Sequence, residues 1–487
     1  METVRTIDPS GVSDSAGRKW WWGVACAVIL LGIAARVIVD FSHAYPPGTD
    51  AGYYPMQTRS LLVHGRLMYD DLPLIFWIDA ALARLLILCG WQFDAAVLAA
   101  SRLLNAVAHP LVAGAVLGLG YSWSDGRRTA LPGCSAAALL SVVSGPVVQA
   151  IGFQKASLGL VWMAFALWGC RAAMVHSTWR AWGLVCALVV LAALTHVGAF
   201  ATTALLLASA CGYWFWLKRA KRSGVALLLA VATAAALGAL LFYVDPRRAQ
   251  GLVEGAVLMF VPALFGVGFG LDAAGKALWA VLVVVLLAGA RRLRRDRADT
   301  RDADLAVAGA VVVTCALLIW PKNAAYFYRL LLMAPLPGAF ILAFISARRA
   351  TRNVSPLPAV LLLGLAIGAA VQSAWMVPPA VVDGRVAREL AELRAQIPRP
   401  DTTLVVAPHG LEWFAGYFLH TPVRQGPYGT IHRNDLPSDS FARYRRVLLL
   451  RFARLAARPS AAADPGMVRV VYAGSALEMY EFIPWRP

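Results

Sequence analysis

Runs of apolar residues long enough to cross a membrane occupy most of the chain. The first run, from Trp20 to Val39, follows a polar start that contains Arg5, Arg18 and Lys19. A helix needs about 20 mostly apolar residues to span the hydrocarbon core of a bilayer. Further runs lie near residues 73–90, 98–121, 130–150, 155–170, 181–196, 198–217, 223–243, 256–271, 276–290, 304–320, 325–347 and 357–375. The pattern predicts an all-α polytopic membrane domain with about thirteen transmembrane segments, the shorter of which are open to a re-entrant or merged interpretation.

Two stretches break this apolar pattern. The first is the loop 41–72, and the second is the tail from residue 382 onwards. In the tail, Asp383 is placed to cap a helix that runs to about Gln396, and short apolar runs predict buried strands. The predicted strands are Thr402–Val406, Val447–Leu450, Val468–Tyr472 and Leu477–Ile483, and a short helix is predicted at Leu411–Leu419. We therefore divide the chain into an N-terminal segment (1–19), a transmembrane domain (20–381) that contains the first loop, and a small C-terminal α/β soluble domain (382–487).

Composition excludes the soluble classes of protein, and it changes what the net positive charge indicates. Of the 487 residues, 59% are hydrophobic and 15% are charged, whereas soluble domains carry about a quarter charged residues. The net charge is +18. Basic cytoplasmic loops and anionic headgroups account for such an excess in a membrane protein, so no nucleic-acid partner is expected. The seven cysteines lie in apolar segments without metal-type spacing, and we interpret them as small core residues.

Basic residues give the expected orientation in the membrane and also a conflict. The basic start predicts a cytoplasmic N-terminus in a multi-pass inner (plasma) membrane protein. Thirteen spans then place the loop 41–72 and the tail together on the extracytoplasmic side. Strict alternation, however, puts three basic groups on that side, against the positive-inside tendency. These are Arg127–Arg128, Arg171 with Arg180, and Lys218–Arg222. A non-spanning segment, for instance 256–271, would correct part of this conflict.

The first loop holds the polar residues that are best placed for chemistry. Asp50 follows the turn signal Pro46-Pro47-Gly48. An amphipathic interfacial helix is predicted next, with Arg59 and His64 near its polar side and Gly65 at its end. Asp70 and Asp71 precede Pro73, which opens the next apolar run. A carboxylate here can take a proton from a hydroxyl, and two carboxylates can share a divalent cation. A solvated loop with Asp71 as an N-cap is the alternative.

Four short motifs carry a resemblance to a known family. Gly48–Tyr54 is similar to a D-E-x-x-Y element, and Tyr69–Trp77 is similar to an acidic residue followed by K-P-P-L-x-Y-W. Ser101–Leu103 and Tyr328–Leu330 with Pro335 resemble two later elements. In this order they resemble GT-C fold glycosyltransferases, in the branch of protein O-mannosyltransferases and lipid A aminoarabinose transferases. The resemblance implies a GT-C type membrane domain with a C-terminal soluble domain.

The resemblance also implies a reaction and roles for individual residues. A sugar would pass from a polyprenyl-phosphate donor to the hydroxyl of a glycan, lipid or protein acceptor, with inversion. Asp50 would be the general base, and Asp70 and Asp71 a second acidic site. The residues expected to hold the donor phosphate are Arg59, Arg102, Lys155, Lys322 and Arg329. The residues expected to contact substrate are Tyr53, Tyr54, His64 and His196.

Departures from the family motifs leave metal dependence open. Ala51 stands where the family has Glu, and Leu72 stands where it has the first Pro. A paired Asp-Glu metal site is therefore not supported, and no cofactor is certain. If a divalent metal ion is bound, Asp50 and Asp71 are its expected ligands.

Each candidate cation also has an ordinary structural interpretation. Arg102 and Lys155 can be residues at span ends whose charges reach towards water. Lys322 can be a solvated loop residue. Arg329 lies within an apolar run, where an unpaired charge costs at least a few kcal/mol, which favours a functional role. Glu412, Trp413 and Tyr417 of the tail are candidates for contact with the acceptor, with packing as the alternative.

Two other classes of membrane protein compete with a transferase. A transporter or flippase of a lipid-linked sugar would place its site near the midplane between internal repeats, and the sequence has no clear internal repeat. An O-antigen ligase or polymerase would carry its large functional loop late in the chain. In this sequence the loop with the motifs comes first.

Overall fold

The computed structural model describes residues 15–48, 50–143, 153–218, 250, 273–320, 333–350, 380–426, 443–453 and 468–482. It contains a helical part and a small α/β domain that share an interface. The helices of the first part are α1 (Ser15–Phe41), α2 (Tyr53–His64), α3 (Leu74–Leu88), α4 (Phe93–Ala108), α5 (Val112–Trp123), α6 (Leu131–Val143), α7 (Gln154–His176), α8 (Trp179–Thr195), α9 (Val197–Lys218), α10 (Ala273–Arg295), α11 (Asp302–Ile319) and α12 (Pro335–Ala350).

Helices of membrane-spanning length confirm the multi-pass membrane domain. Among the described residues, five helices are long and apolar enough to cross a bilayer. They are Gly17–Phe41, Phe93–Trp123, Gln154–His176, Val197–Lys218 and Asp302–Ile319, and α8 is a shorter apolar helix. The predicted runs 223–243, 256–271 and 357–375 fall outside the described residues, and with them the suggestion that 256–271 does not span.

Helix α3 does not cross the membrane, which corrects the prediction of a second span at 73–90. Asp71, just before α3, accepts a hydrogen bond from Tyr53, while Asp94, just after it, pairs with Arg59. Tyr53 and Arg59 both belong to α2 and are separated by about 9 Å along its axis, at 1.5 Å per residue. The two ends of α3 therefore lie far closer together in depth than the roughly 30 Å of a bilayer core.

This non-spanning helix places the basic groups near 127, 171 and 218 on the same side of the membrane as the start of α1. Trp21 of α1 donates to the carbonyl of Gly126, Arg171 pairs with Asp304, and Arg301 pairs with Asp125. Arg292 donates to the Arg348 carbonyl, and Arg297 lies over the Trp216 ring. The basic groups near 127, 171, 218, 295 and 348 thus gather at the end of the bundle where α1 begins, which we call the basic end. The first loop lies at the opposite end.

The C-terminal domain is a mixed five-stranded sheet with helices against it. Its strands are β1 (Thr403–Pro408), β2 (Val423–Gly426), β3 (Arg446–Phe452), β4 (Val468–Ala473) and β5 (Leu477–Phe482), and its helices are α13 (Gly384–Leu393) and α14 (Leu411–Leu419). The strand order is β2-β1-β3-β5-β4. Strand β1 runs parallel to both β2 and β3, whereas β5 is antiparallel to β3 and β4.

Local signals in the tail were interpreted correctly. Asp383 caps α13 by accepting hydrogen bonds from the amides of Arg385 and Val386 at 2.9 and 2.8 Å. The predicted strands and the helix Leu411–Leu419 are present within one or two residues at each end. Strand β2 was missed, because it has only four residues and two of them are exposed.

The cysteines partly contradict the prediction that they are core residues. All seven are free thiols. Cys134, Cys170, Cys211 and Cys315 are buried, but Cys26 on α1, Cys186 on α8 and Cys89, in the turn after α3, are exposed. An apolar helix surface that faces lipid accepts a thiol as readily as a protein core does. Position in an apolar run therefore did not distinguish buried cysteines from exposed ones.

Candidate active site between the first loop and the C-terminal domain

The C-terminal domain covers the first loop and shares an apolar core with it. Ala51 and Met56 are buried with Leu411 and Phe414 of α14. Gly52 packs so closely that a Cβ there would lie 2.9 Å from the Phe414 backbone nitrogen. The shared position of the first loop and the tail at one end of the molecule, which the sequence predicted, is confirmed by these contacts.

Tyr69 joins the loop to the edge of the sheet. Its hydroxyl donates to the Val423 carbonyl at 2.6 Å and accepts from the Val423 amide at 2.7 Å. Both polar groups of one β2 residue are therefore satisfied by a side chain of the first loop. The edge that β2 would otherwise present is covered at this point.

Helix α2 has the predicted position but a different environment. It ends at Gly65, whose φ of 70° lies in the left-handed region, as expected for a C-terminal glycine. Its polar residues Gln57 and Ser60 are buried and hold the segment that follows the helix. Gln57 accepts from the amides of Met68 and Tyr69 at 2.8 and 3.1 Å and donates to the Tyr69 carbonyl at 2.9 Å. The helix is thus enclosed by protein, and Gln57 fixes the approach to Asp71.

Asp71 is the centre of a buried polar cluster. Its carboxylate is 1% exposed and forms an ion pair with the ammonium group of Lys155. The Tyr53 hydroxyl donates to the same carboxylate at 2.5 Å, and the Leu72 amide donates at 2.7 Å. Lys155 lies in the first turn of α7, where the helix dipole disfavours a cation, so Asp71 supplies the compensating charge. Asp70 is exposed on the neighbouring position.

Aromatic rings enclose this cluster. The Lys155 ammonium lies 5.1 Å from the centroid of Tyr53 and 5.9 Å from that of Phe76. Tyr54 is buried, and its hydroxyl accepts from the Lys155 amide at 3.3 Å. Burial raises the pKa of Tyr54, so its hydroxyl stays neutral. Tyr54, predicted to contact substrate, is observed to position the start of α7.

Asp50 lies at the other end of Tyr53. The Asp50 carbonyl accepts from the Tyr53 amide at 3.0 Å, while the Tyr53 hydroxyl reaches Asp71, so the two acidic residues are separated by about one tyrosine side chain. The Asp50 carboxylate is 31% exposed and its Oδ1 lies 3.9 Å from Nε2 of His409. Asp50 is therefore accessible, whereas Asp71 is enclosed.

His409 links Asp50 to a buried carboxylate of the C-terminal domain. Nδ1 of His409 lies 2.9 Å from Oε1 of Glu412, whose side chain is 0% exposed. Burial raises the pKa of Glu412, and its contact with His409 acts against that shift. Sequence reasoning named Glu412 only as a possible acceptor contact and did not find His409. The signal available was their three-residue spacing across a strand end.

Other predicted residues support the loop or lie elsewhere. Arg59 donates to Asp94 at 3.2 Å. Arg102 is buried and donates to the carbonyls of His43 and Ala44 at 3.2 and 2.5 Å, which holds the start of the first loop. Arg102 therefore has a structural role, although its charge is buried and does not reach towards water as the alternative predicted. Binding of a donor phosphate by either arginine stays a prediction.

The two histidines predicted to contact substrate differ in their positions. His64 is exposed at the end of α2. His196 follows α8, and its Nδ1 accepts from the Ala199 amide at 3.1 Å, which caps α9. It lies beside Gly159, one helical turn from Lys155, so it is at the same end as the site. Lys322 and Arg329 lie outside the described residues.

The donor set does not fit a metal ion shared by Asp50 and Asp71. Asp71 already contacts an ammonium group, a tyrosine hydroxyl and a backbone amide. A cation bridging the two carboxylates would have to replace Lys155. In the described part of the chain, no group of three His, Cys, Asp or Glu side chains is arranged to hold a metal.

The chain has the GT-C fold. In this arrangement a helical membrane domain carries acidic residues in its first loop, and a small C-terminal α/β domain lies over that loop. The chain is similar to the crystal structure of ArnT from Cupriavidus metallidurans in the apo state, with a TM-score of 0.52, 14% identity, and coverage of 96% of this chain and 98% of that one. The same protein bound to undecaprenyl phosphate gives a TM-score of 0.51 and 15% identity over 95% and 98% of the two chains. No protein-family model and no curated protein sequence matches the chain.

Proposed function

We propose that this protein is an integral-membrane inverting glycosyltransferase that moves a sugar from a polyprenyl-phosphate carrier to an acceptor hydroxyl. The GT-C fold and the undecaprenyl phosphate bound by the ArnT of similar fold support this proposal. The first observation concerns the architecture, and the second concerns the lipid that a protein of similar fold binds. The residues of the first loop supply the argument for the chemistry.

The observation that carries the proposal is an accessible carboxylate and an ammonium group at the two ends of Tyr53. Asp50 takes the proton of the acceptor hydroxyl as that oxygen attacks the anomeric carbon. The bond from this carbon to the phosphate oxygen breaks on the opposite face, and the phosphate leaves with the electron pair. Attack and departure on opposite faces give inversion. Asp50 is 31% exposed, as a base that meets a hydroxyl must be.

Lys155 stabilises the charge that develops on the leaving phosphate. An ammonium group has three N–H donors, so it can hold Asp71 and a phosphate oxygen at the same time. In the motif K-P-P-L-x-Y-W, Asp71 stands at the position of the lysine. Lys155 brings a lysine ammonium to that place from α7, and the buried Asp71 fixes its position. His196, Lys322 and Arg329 remain candidates for further contacts.

The orientation follows from the distribution of basic residues. Cytoplasmic loops of membrane proteins are enriched in Lys and Arg. The basic end therefore faces the cytoplasm, and the first loop and C-terminal domain face the extracytoplasmic side. The isoprenoid tail of the donor would lie against the apolar helix surfaces below the site.

The test is mass spectrometry of glycolipids and lipid-linked sugars in a strain that lacks the protein. We expect a polyprenyl-phosphate sugar to accumulate and one glycosylated product to disappear. The wild-type gene restores the product, and Asp50→Asn does not. Asp125→Asn, the same change at the basic end, is the control, because Asn accepts the left-handed backbone of Asp125 (φ 51°).

Two outcomes contradict the proposal. Product formation by Asp50→Asn at the wild-type rate would remove Asp50 as the base. Movement of a labelled lipid-linked sugar across liposomes by the purified protein, in the absence of any acceptor, would favour the transporter or flippase.

A further inference from the structure

Glu412 is a fully buried carboxylate in the core of the C-terminal domain. Its side chain is 0% exposed. Oε1 contacts Nδ1 of His409, and Oε2 has no hydrogen-bond partner among the described residues. A buried carboxylate with an unsatisfied oxygen is costly, and the domain could have placed an apolar residue here at no such cost. The backbone amides of Gly410 and Glu412 also stabilise the carboxylate, at the start of α14. In the described part of the chain, its side-chain hydrogen bond is with the histidine that faces Asp50.

The backbone is built to bring these two side chains together. Strand β1 ends at Pro408, and α14 begins at Leu411. Between them Gly410 has φ 93°, which lies in the left-handed region where glycine is favoured. This tight turn sets His409 and Glu412, three residues apart, against each other. Strand β1 lies between the two strands to which it is parallel, and ligand sites in α/β sheets form at the carboxyl ends of such strands.

We propose that His409, held by Glu412, receives the proton that Asp50 takes from the acceptor hydroxyl. This inference rests on the proposed function and adds the C-terminal domain to the active site. Nε2 of His409 lies 3.9 Å from Asp50 Oδ1, beyond hydrogen-bonding distance but close enough for a side-chain adjustment to join them. His409 acts through Asp50 and is a positioning residue with a relay role.

The proton balance of the relay is complete within the named groups and water. The acceptor hydroxyl gives its proton to the Asp50 carboxylate as the glycosidic bond forms. Protonated Asp50 then donates to Nε2 of His409, which becomes an imidazolium ion, and Asp50 returns to its ionised form. The Nδ1–H bond to Glu412 stabilises that cation, as the buried carboxylate does in a triad. The imidazole is 34% exposed, so its proton passes on to water.

The position of His409 relative to Asp50 is fixed by the interface. Gly52, two residues from Asp50, meets Phe414, two residues from Glu412, with no room for a Cβ. The Tyr53 ring also packs edge-on against Trp413, with centroids 4.9 Å apart. The loop carrying the base and the turn carrying the histidine therefore behave as one unit.

The experiment uses membranes of the deletion strain, which hold the accumulated donor and the unmodified acceptor. Purified His409→Ala is added, and the product is followed by mass spectrometry as the amount of membrane is varied. We expect a fall in the maximal rate of about 100-fold, the lower range for general acid–base groups, with no change in the half-saturating amount of membrane. His176→Ala, an exposed histidine at the far end of α7, should keep the wild-type rate.

Chemical rescue distinguishes a histidine that accepts a proton from one that only fills the space beside Asp50. Added imidazole should restore at least a tenth of the rate of His409→Ala, because the site is open to solvent. Pyrazole has the same size and is a far weaker base, so it should not. If His409→Ala does not fold, His409→Asn replaces it. The Asn amide keeps the contact with Glu412 and lacks only Nε2, so it should fold and lose the rate.

A double-mutant cycle tests the role of Glu412. Glu412→Gln should lower the rate less than His409→Ala does, and the double variant should be no slower than His409→Ala alone. A normal rate for His409→Ala or His409→Asn, or equal rescue by pyrazole, would overturn the relay. If Asp50→Asn is inactive while His409→Ala is normal, the proposed function stands and the relay fails. If Asp50→Asn is active, the proposed function fails, and the relay fails with it.

Discussion

The ammonium group of Lys155, at the start of α7, pairs with the buried carboxylate of Asp71, which lies in the first loop 84 residues earlier in the chain. The pair lies under Tyr53, whose hydroxyl donates to Asp71 at 2.5 Å. A buried pair of this kind is sensitive to the loss of one partner, because the other charge is left without compensation. It therefore offers a way to separate stability from catalysis at the proposed phosphate site.

Lys155→Met should lose both stability and activity. Asp71, only 1% exposed, would be left unpaired at a cost of about 3–5 kcal/mol. Lys155→Met with Asp71→Asn should recover the unfolding temperature in detergent but not the transfer reaction. Thermal unfolding and product mass spectrometry measure the two effects. Wild-type transfer by the double variant would show that Lys155 does not hold the donor phosphate.

Gly52→Ala should weaken the contact between the first loop and the C-terminal domain. The new Cβ would lie 2.9 Å from the Phe414 backbone nitrogen, which cannot move aside as a flexible side chain can. We expect a loss of about 1–3 kcal/mol and slower transfer. Gly23→Ala on α1 meets nothing within 4 Å and is the matched control. Equal unfolding temperatures for the two variants would count against this interface.

Tyr69→Phe should loosen the edge strand β2. The change leaves the amide and carbonyl of Val423 without the hydroxyl that now satisfies both, at about 1–3 kcal/mol for each unsatisfied group. Hydrogen–deuterium exchange of residues 423–426 should become faster. Tyr472→Phe removes only an exposed hydrogen bond to Glu392 and should leave that exchange unchanged. Unchanged exchange in Tyr69→Phe would mean that β2 does not depend on the first loop.

His420 should make the C-terminal domain less stable in mild acid. Burial, followed by the nearby Arg59 and Arg394, lowers the pKa of His420 to about 4 from the ordinary 6.5. Between these values the unfolded chain binds a proton that the folded chain does not. The stability is therefore fully present above pH 6.5 and decreases as the pH falls towards 4.

His420→Asn tests this dependence without straining the backbone. The φ of His420 is 56°, in a region that Asn tolerates. The unfolding temperature of the variant should fall less than that of the wild type between about pH 7 and pH 5. His176→Asn, which changes an exposed histidine at the opposite end, should follow the wild type. Equal pH dependence in His420→Asn and the wild type would contradict the assignment.

The sequence predicted elements whose signals are local. Long apolar runs gave the helices, Asp383 gave the start of α13, and short apolar runs gave the strands of the tail. Helix α3 was mistaken for a span, because 13 of its 15 residues, Leu74–Leu88, are apolar, and they would be so whether they face lipid or neighbouring helices. Only the positions of Asp71 and Asp94 relative to α2 distinguish the two cases, and those depend on tertiary contacts.

The candidate site likewise contains some residues with local sequence signals and others that only tertiary contacts bring into place. Asp50, Tyr53 and Asp71 lie within one short segment, so turn and helix signals were enough to bring them together. Lys155 was one of five candidate cations, of which the sequence favoured Arg329, and only packing places Lys155 beside Asp71. The signal for His409 was only its three-residue spacing from Glu412, because its contact with Asp50 exists only after the first loop and the C-terminal domain have met.

The hydrogen bond from Tyr69 to Val423 spans 354 residues, which has a consequence for biogenesis. Most of the membrane domain can insert while the first loop still lacks its cover. The C-terminal domain is synthesised after the membrane domain, and it has to reach the same side of the bilayer before the loop can be completed. A nascent chain that is interrupted before β2 therefore carries the acidic loop without His409 correctly placed above it. The proposed activity would appear only after the C-terminal domain has been made, so a copy that stops earlier would not consume the proposed donor.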